Sequence, residues 1–210
     1  SSISPHYDAL IAKIVTHGQT RAEARRRLSR ALREATLFGP RTNAGFLHAL
    51  LQSPPFVQAE VHTALIDGWL AQPHSLLERA TPSDELWALA ACVFAESQSA
   101  DGYRPRGLDA VDLTLSCDAS TRKGRVVRGD RTATVHFPEI ALEIALLERD
   151  ECCLRYQAGA VERRVPYLRE GGALHLSHDG TVFVFREPDA LAAGETEVDP
   201  RRLPAPIAGV

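Results

Sequence analysis

The sequence predicts an α+β fold in which one long buried helix is wrapped by an eight-stranded antiparallel β-barrel. Three observations support this prediction. The segment ELWALAACVFAES is apolar on nearly every face, and a helix of that kind must be buried all round. Short apolar runs separated by turn signals follow between about residues 110 and 186. A segment with helical periodicity precedes both.

Composition places the chain among soluble globular proteins. It has 210 residues, 24% of them charged, and a formal net charge of -3. No apolar run approaches the roughly 18 residues of a membrane span, and the N-terminus lacks the layout of a signal peptide. We therefore expect no membrane partner, and a cytoplasmic protein in bacteria or a mitochondrial one in eukaryotes. The cysteines lack CxxC spacing and are predicted to be free thiols that act as small hydrophobic residues: Cys92, Cys117, Cys152 and Cys153.

The first predicted elements are a strand and a helix. HYDALIAKIVTHG carries β-branched residues on a short apolar run that ends at Gly18, which favours a strand. TRAEARRRLSRALREAT has a capping box in Thr20 and Glu23 and one apolar stripe, which predicts a helix. Its outward face is crowded with arginines: Arg21, Arg25, Arg26, Arg27, Arg30 and Arg33. Because the rest of the chain is acidic and no aromatics interleave, we interpret this face as solvated or protein-facing and expect no nucleic-acid partner.

Two shorter helices are predicted next. Gly39-Pro40 ends the first helix, and Thr42 with Asn43 is expected to cap NAGFLHALLQ. Pro54-Pro55 ends that helix, and TALIDGWLAQ forms a third.

The buried helix is predicted over residues 82–98. Thr81 is its expected N-cap, Pro82 fits its first position, and Asp84 lies where an acidic side chain favours the helix dipole. An apolar helix of this kind needs a partner that surrounds it, and the strands that follow are the candidate.

Eight runs predict the strands of a barrel over residues 110–186: VDLTLSC, GRVVRG, RTATVHF, IALEIALL, CCLRYQ, VERRVPYL, ALHLSH and TVFVF. Tight turns join them, and Asp179-Gly180 is the strongest hairpin signal. About eight strands is the number whose barrel interior side chains can fill. Pro166 lies inside a run and predicts an edge or a bulge there.

No catalytic, cofactor-binding or metal-ligating residue is predicted. His175 and His178 would point to opposite faces of a strand, so a shared metal is not expected. Ser116-Cys117-Asp118 has no evident base, and REGGALH opens no helix that would hold a phosphate. Lys13 and Lys123 are the only lysines, and the P-loop, GxGxxG and GxSxG motifs are absent from the sequence.

The first third of the chain resembles the tail of the biotin carboxylase domain. The residues that carry the resemblance are Tyr7-Asp8, Lys13, His17-Gly18 and the run Gly39-Pro40-Arg41-Thr42-Asn43. The ending PAPIAGV, with Ile207 in place of a usual Met, is similar to the opening of a biotin carboxyl carrier domain. Because the chain also contains no methionine, we expect it to be a segment of a longer protein.

The resemblance implies three segments. Residues 1–72 would be the C-terminal part of a biotin carboxylase domain, and residues 73–187 a linking, subunit-interaction domain made of the helix and the barrel. Residues 188–210 would be a linker and the start of the carrier domain. This order is similar to that in the α subunits of propionyl-CoA, 3-methylcrotonyl-CoA and geranyl-CoA carboxylases.

The function implied is that of an assembly segment in such an α subunit, with 3-methylcrotonyl-CoA as the favoured type. The whole enzyme, a ligase, carboxylates biotin with ATP and bicarbonate and passes the carboxyl group to an acyl-CoA. Biotin, ATP and Mg would serve the whole enzyme, whereas this segment would hold no cofactor and be inactive alone.

The implied partners are the carboxyltransferase β subunit and the rest of the α subunit. ASTRKGRVVRGD is a candidate docking hairpin, although a solvated hairpin is equally compatible with the sequence. Lys13 is expected either to pair with Asp8 or another carboxylate, or to lie at a strand edge with its amine in solvent. The alternative hypothesis is a stand-alone β-barrel that binds a ligand or nucleic acid.

Overall fold

The computed structural model describes residues 10–71, 74–98 and 110–188. The helices are α1 (Arg21–Glu34), α2 (Ala44–Leu50), α3 (Pro54–Val57), α4 (Leu65–Leu70) and α5 (Asp84–Gln98), with a short 3-10 turn at Ser75–Leu77. The strands are β1 (Ala110–Cys117), β2 (Ser120–Arg128), β3 (Ala133–His136), β4 (Ala141–Arg149), β5 (Cys153–Ala158), β6 (Val161–Glu170), β7 (Ala173–His178) and β8 (Thr181–Arg186). The predicted α+β class is confirmed.

The helical segment α1 to α4 has the predicted helices. The Thr20 hydroxyl accepts a hydrogen bond from the Glu23 N–H at 3.2 Å, as the capping box predicts. The Glu23 carboxylate accepts in return from Gln19 N–H at 2.8 Å, one residue before the N-cap. Asn43 occupies the N-cap of α2 without a side-chain hydrogen bond, and the Thr42 hydroxyl lies 3.5 Å from Ala44 N.

The predicted first strand is not formed over residues 10–18, the part of it that the structure describes. Residues 10–18 are neither helix nor strand, and Leu10 and Val15 are 68% and 78% exposed. A strand needs a neighbour that offers unpaired backbone groups, and the eight strands of the barrel pair with one another. Residues 1–9 lie outside the described part of the chain, so the pairing of Lys13 with Asp8 stays a prediction.

The eight strands form a closed antiparallel barrel in sequence order, as predicted. Closure between β1 and β8 consists of two residue pairs, Ser116 with Arg186 and Cys117 with Phe185. The ladders between consecutive strands have four to eight pairs. Pro188 comes two residues after the last pair and has no N–H with which to extend the ladder.

Of the edge or bulge predicted at Pro166, the structure shows a local edge on the β7 side and no bulge. The β5–β6 register runs through Cys153 and Pro166 without a shift, and the β6–β7 ladder begins one residue later at Tyr167. Tyr167 N donates toward β5, to Cys152 O at 2.9 Å. Because neighbouring backbone nitrogens of a strand point in opposite directions, the nitrogen of Pro166 points toward the β7 side, where the β6–β7 ladder has not yet begun. A register shift lies instead in β4, between Leu146 and Glu148.

Helix α5 fills the barrel, as predicted. All ten residues 86–95 are buried, and the Trp87 ring packs edge-on against Phe185 with centroids 5.0 Å apart. The helix begins two residues later than predicted, and its cap is Ser83, whose hydroxyl accepts from Leu86 N–H at 3.3 Å. The prediction of Thr81 as N-cap is wrong, because the chain takes up helical geometry only after Pro82 and Ser83. In the described ranges, no helix has the length and apolarity needed to cross a membrane.

Candidate functional site

Barrel side chains bind the acidic N-terminal end of α5. Arg163 Nη1 donates to both carboxylate oxygens of Glu85, at 2.9 and 2.8 Å. The Tyr156 hydroxyl donates to the same carboxylate at 2.6 Å. Burial, and then the hydrogen bond to Glu85, raise the pKa of Tyr156 above its ordinary value, so this phenol stays a protonated donor.

A second arginine at this end is Arg122 of β2. It forms an ion pair with Asp84, and its guanidinium lies 5.3 Å from the Trp87 ring centroid and 5.7 Å from that of Phe137. Both acids of the first turn of α5 therefore have a cationic partner on the barrel wall. The partial positive charge at the helix N-terminus favours the same two carboxylates.

The C-terminal end of α5 is held by three further arginines. Arg128 donates to the Ala95 carbonyl oxygen, and Arg169 donates to the Ser97 hydroxyl and lies over the Phe94 ring. Arg149 lies 3.9 Å from the Glu96 carboxylate and donates to the Tyr167 hydroxyl at 3.0 Å. Cations at this end complement the negative end of the helix dipole. Cys92 lies on the same helix, and its burial raises the pKa of its thiol to about 12, with the charge of Glu96 adding to the effect.

Strands β2 and β6 each supply two arginines, one to the N-terminal end of α5 and one to its C-terminal end. Arg122 and Arg128 are six residues apart on β2, and Arg163 and Arg169 are six apart on β6. Six strand residues span about 20 Å, close to the length of the helix they bracket. We call these four side chains, with Arg149, the arginine clamps. Sequence reasoning missed them, although each clamp arginine of β2 and β6 has the same parity as a buried residue of its strand, Val126 or Val165.

The predicted docking hairpin is largely engaged within the chain. Besides the two clamp arginines of β2, Arg125 forms a two-pronged ion pair with Asp112 of β1, with both distances 2.7 Å. The hydrogen bonds from Arg125 lower the pKa of Asp112. Lys123 is exposed, and the role of this hairpin in docking a partner stays a prediction.

Three arginines of α1 also bind within the chain. Arg21 donates to Phe56 O and Arg25 to Leu51 O, each at 2.9 Å, and Arg27 donates to His17 O at 2.8 Å. The first two carbonyls lie at the C-terminal ends of α3 and α2, where helix carbonyls lack partners. These contacts agree with the protein-facing interpretation of the helix.

The remaining predicted candidates are dispersed. His175 contacts the Phe38 ring, with its pKa lowered first by burial and then by Arg186, whereas His178 lies 3.6 Å from Asp179. Among the residues that the structure describes, no group of three or more side chains is arranged to hold a metal ion. The prediction that all four cysteines are free is confirmed, but Cys152 is exposed, so its interpretation as a small hydrophobic residue is wrong. Lys13 is exposed as well.

The β7–β8 turn connects the barrel to the helical segment. Asp179 and Gly180 have φ values of 48° and 74°, as the predicted two-residue turn requires. This turn lies against α1 and α2, close to Leu32 and Gly45. A second link, 2.6 Å long, joins Arg79 ahead of α5 to Asp118 in the β1–β2 turn.

A cleft of about 1000 Å³ lies beside these links, between the helical segment and one end of the barrel. Its lining includes Arg41, Asn43, Phe46, Arg79 and Thr181. Two of its charged lining residues already have partners: Arg79 is paired with Asp118, and Asp179 lies 3.6 Å from His178. The arrangement holds two parts of the chain in contact.

Comparison with known proteins identifies the first part of the chain. Residues 1–68 match the family described as "Biotin carboxylase C-terminal domain". Human mitochondrial pyruvate carboxylase is 42% identical over 65 residues, which are 31% of this chain and 6% of the relative. Urea amidolyase of Saccharomyces cerevisiae is 34% identical over 76 residues, 36% of this chain and 4% of the relative. Biotin carboxylase 1 of Bacillus subtilis is 42% identical over 66 residues, which are 31% of this chain and 15% of the relative.

The resemblance of the first segment to the tail of biotin carboxylase is therefore confirmed over residues 1–68. The alignments cover between 4% and 15% of these three curated relatives, so the chain spans a small part of each. The helix-in-barrel unit lies beyond the family match.

Proposed function

From the match of residues 1–68, we propose that this chain is the linking segment of the biotin-carrying subunit of a biotin-dependent carboxylase, a ligase. One observation carries the proposal: a biotin carboxylase tail and a helix clamped inside a closed barrel follow one another in a single chain. In such an enzyme the segment joins the site that carboxylates biotin to the subunit that accepts the carboxyl group. The segment itself contributes no catalytic, cofactor-binding or metal-ligating residue.

The clamps explain why this unit suits a connecting role. A helix held only by apolar contacts can slide or rotate, because such contacts are non-directional. Hydrogen bonds to Glu85 at one end and to Ala95 O at the other fix its depth and its rotation. Motion of the chain before α5 is thus transmitted to the barrel wall.

In our proposal the acceptor is an acyl-CoA, most specifically 3-methylcrotonyl-CoA, and the partner is the carboxyltransferase β subunit. The support is the order of carboxylase tail, buried helix and antiparallel barrel, which is similar to that of acyl-CoA carboxylase α subunits. Biotin, ATP and Mg belong to the whole enzyme, which we place in the bacterial cytoplasm or the mitochondrion.

The test uses the complete carboxylase, produced with its carboxyltransferase subunit. Incorporation of labelled bicarbonate is measured with ATP and each acceptor in turn: 3-methylcrotonyl-CoA, geranyl-CoA, propionyl-CoA, pyruvate and urea. We expect avidin-sensitive labelling of 3-methylcrotonyl-CoA. Labelling of pyruvate or urea alone would refute the acyl-CoA class, and labelling that avidin does not inhibit would refute the biotin-dependent class.

The alternative of a stand-alone nucleic-acid-binding barrel is not favoured. Arg21, Arg25 and Arg27 bind backbone carbonyls of this chain, and the clamp arginines face α5. Salt-dependent binding to DNA would revive it, since neutralised phosphates release counterions on binding.

A further inference from the structure

Two glycines meet where the β7–β8 turn contacts the helical segment. A β-carbon at Gly180 would lie 2.9 Å from Leu32 O and 3.1 Å from Gly45 N. A β-carbon at Gly45 would lie 2.1 Å from Thr181 Oγ1. Real β-carbons essentially never show distances under 3.0 Å, so a β-carbon at Gly180 would collide with backbone, and one at Gly45 would require the Thr181 hydroxyl to move.

Local conformation explains only one of these glycines. Gly180 has a φ of 74°, where an L side chain is strained, so the turn alone requires glycine there. Gly45 lies within α2 and has no positive φ, and at a helical position alanine is the more favourable residue. The close approach of Thr181 is the physical reason for a glycine at position 45.

Neighbouring contacts hold the same two surfaces together. Leu32 is the buried residue of α1, at 5% exposure, and its carbonyl faces the turn. Phe38 after α1 packs edge-on against His175 of β7, with ring centroids 6.2 Å apart. Side-chain packing and the backbone approach therefore lie along one interface.

We propose that Gly45 and Gly180 form a joint that fixes the barrel against the carboxylase tail and thereby positions the barrel for the carboxyl-transfer step. The joint itself concerns this chain alone. Its role in carboxyl transfer rests on the proposed function, and in that role Gly45 and Gly180 act as positioning residues.

The chain offers a matched set of variants. Gly45→Ala places a methyl group against Thr181 Oγ1. Gly68→Ala adds the same methyl group in α4, where nothing lies within 4 Å, and it is the control for helix propensity. In Gly45→Ala with Thr181→Ala the obstructing hydroxyl is gone, and the nearest atoms, Asp179 O and Thr181 Cβ, lie at an ordinary 3.5 Å. Thr181→Ala alone controls for loss of the hydroxyl.

Hydrogen exchange on the full chain tests the joint. We expect Gly45→Ala to reduce protection in α2 and at the β7–β8 turn by about tenfold or more, while α5 and the distant strands keep theirs. Gly68→Ala should leave both regions unchanged, and the double variant should restore protection. If Gly45→Ala behaves like Gly68→Ala, or if the double variant is as unprotected as the single one, the joint is refuted.

Partial reactions of the complete carboxylase test the role of the joint in carboxyl transfer. We expect Gly45→Ala to lower overall carboxyl transfer several-fold, to leave ATP-dependent carboxylation of free biotin unchanged, and to be rescued in the double variant. If Gly45→Ala loses hydrogen-exchange protection but keeps its overall rate of carboxyl transfer, the positioning role is refuted and the joint still stands. A wild-type enzyme without biotin-dependent activity would refute the proposed function and the positioning role together, while the exchange experiment still decides the joint.

Discussion

The clamp at Glu85 gives a quantitative prediction. Glu85→Ala removes three hydrogen bonds, two from Arg163 and one from Tyr156. Tyr156 is 1% exposed in the native protein, so its hydroxyl would lose its carboxylate partner at a buried position. A hydrogen bond to a charged group contributes about 1.5–3 kcal/mol, and an unpaired buried donor costs about 1–3 kcal/mol. Because Arg163 is 40% exposed and can be rehydrated, we count its bonds at a fraction of the full value.

We therefore expect Glu85→Ala to lower the free energy of unfolding by about 2–3 kcal/mol, measured by urea denaturation. Tyr156→Phe is the matched variant: it removes the hydroxyl but leaves Glu85 paired with Arg163, and should cost about 1 kcal/mol. In the double variant no buried hydroxyl is left unpaired, so the two losses should fall short of additivity by about 1 kcal/mol. Equal losses in the two single variants, or strict additivity, would refute the clamp reasoning.

Three further predictions concern the barrel and its cysteines. Leu89→Ala leaves a cavity at a fully buried position of α5 and should lower the free energy of unfolding by about 3 kcal/mol. The measurement is urea denaturation, and a loss below about 1 kcal/mol would contradict a packed interior. Iodoacetamide, followed by mass spectrometry, should modify exposed Cys152 in the native protein, whereas buried Cys92 should react only after unfolding. The reaction of Cys152 should become faster as pH rises because the thiolate is the nucleophile, and Asp150 raises the pKa of that thiol, which moves the increase to higher pH. Hydrogen bonds from Cys152 N–H and Cys153 N–H lower the pKa of Asp150, so its contribution to stability is present above the ordinary carboxyl pKa and is lost as pH falls through the lowered one. Asp150→Ala should therefore flatten the acid side of the stability profile measured by urea unfolding, and an unchanged slope would contradict this.

Elements that depend on local sequence were predicted correctly. The all-round apolar character of α5, the alternation in the strands and the Asp179-Gly180 turn each follow from residues close together in the chain. Closure of the barrel followed from the number of strands and the need to cover α5. Thr20 and Glu23 likewise act within one helical turn.

The N-cap of α5, predicted at Thr81 and found at Ser83, is a local error, whereas the other errors and omissions named here involve distant partners. The strand predicted at HYDALIAKIVTHG had the right composition, but strand formation depends on a neighbour, and no strand pairs with residues 10–18 in the described part of the chain. The clamps join residues more than 30 positions apart, such as Arg128 and Ala95. The contact between Gly45 and Gly180 depends on how two segments pack, and glycine at position 45 gives no periodic signal.

The two-pair closure of the barrel has a mechanical consequence. Tension applied through the chain at Pro188 would load the paired end of β8 directly, and the strand would peel away from β1 after two steps. The six pairs with β7 would still hold β8 on its other side, so the cylinder would open into a curved sheet without falling apart. Phe185 would then move away from Trp87, and indole fluorescence would report the rupture in a single-molecule pulling experiment.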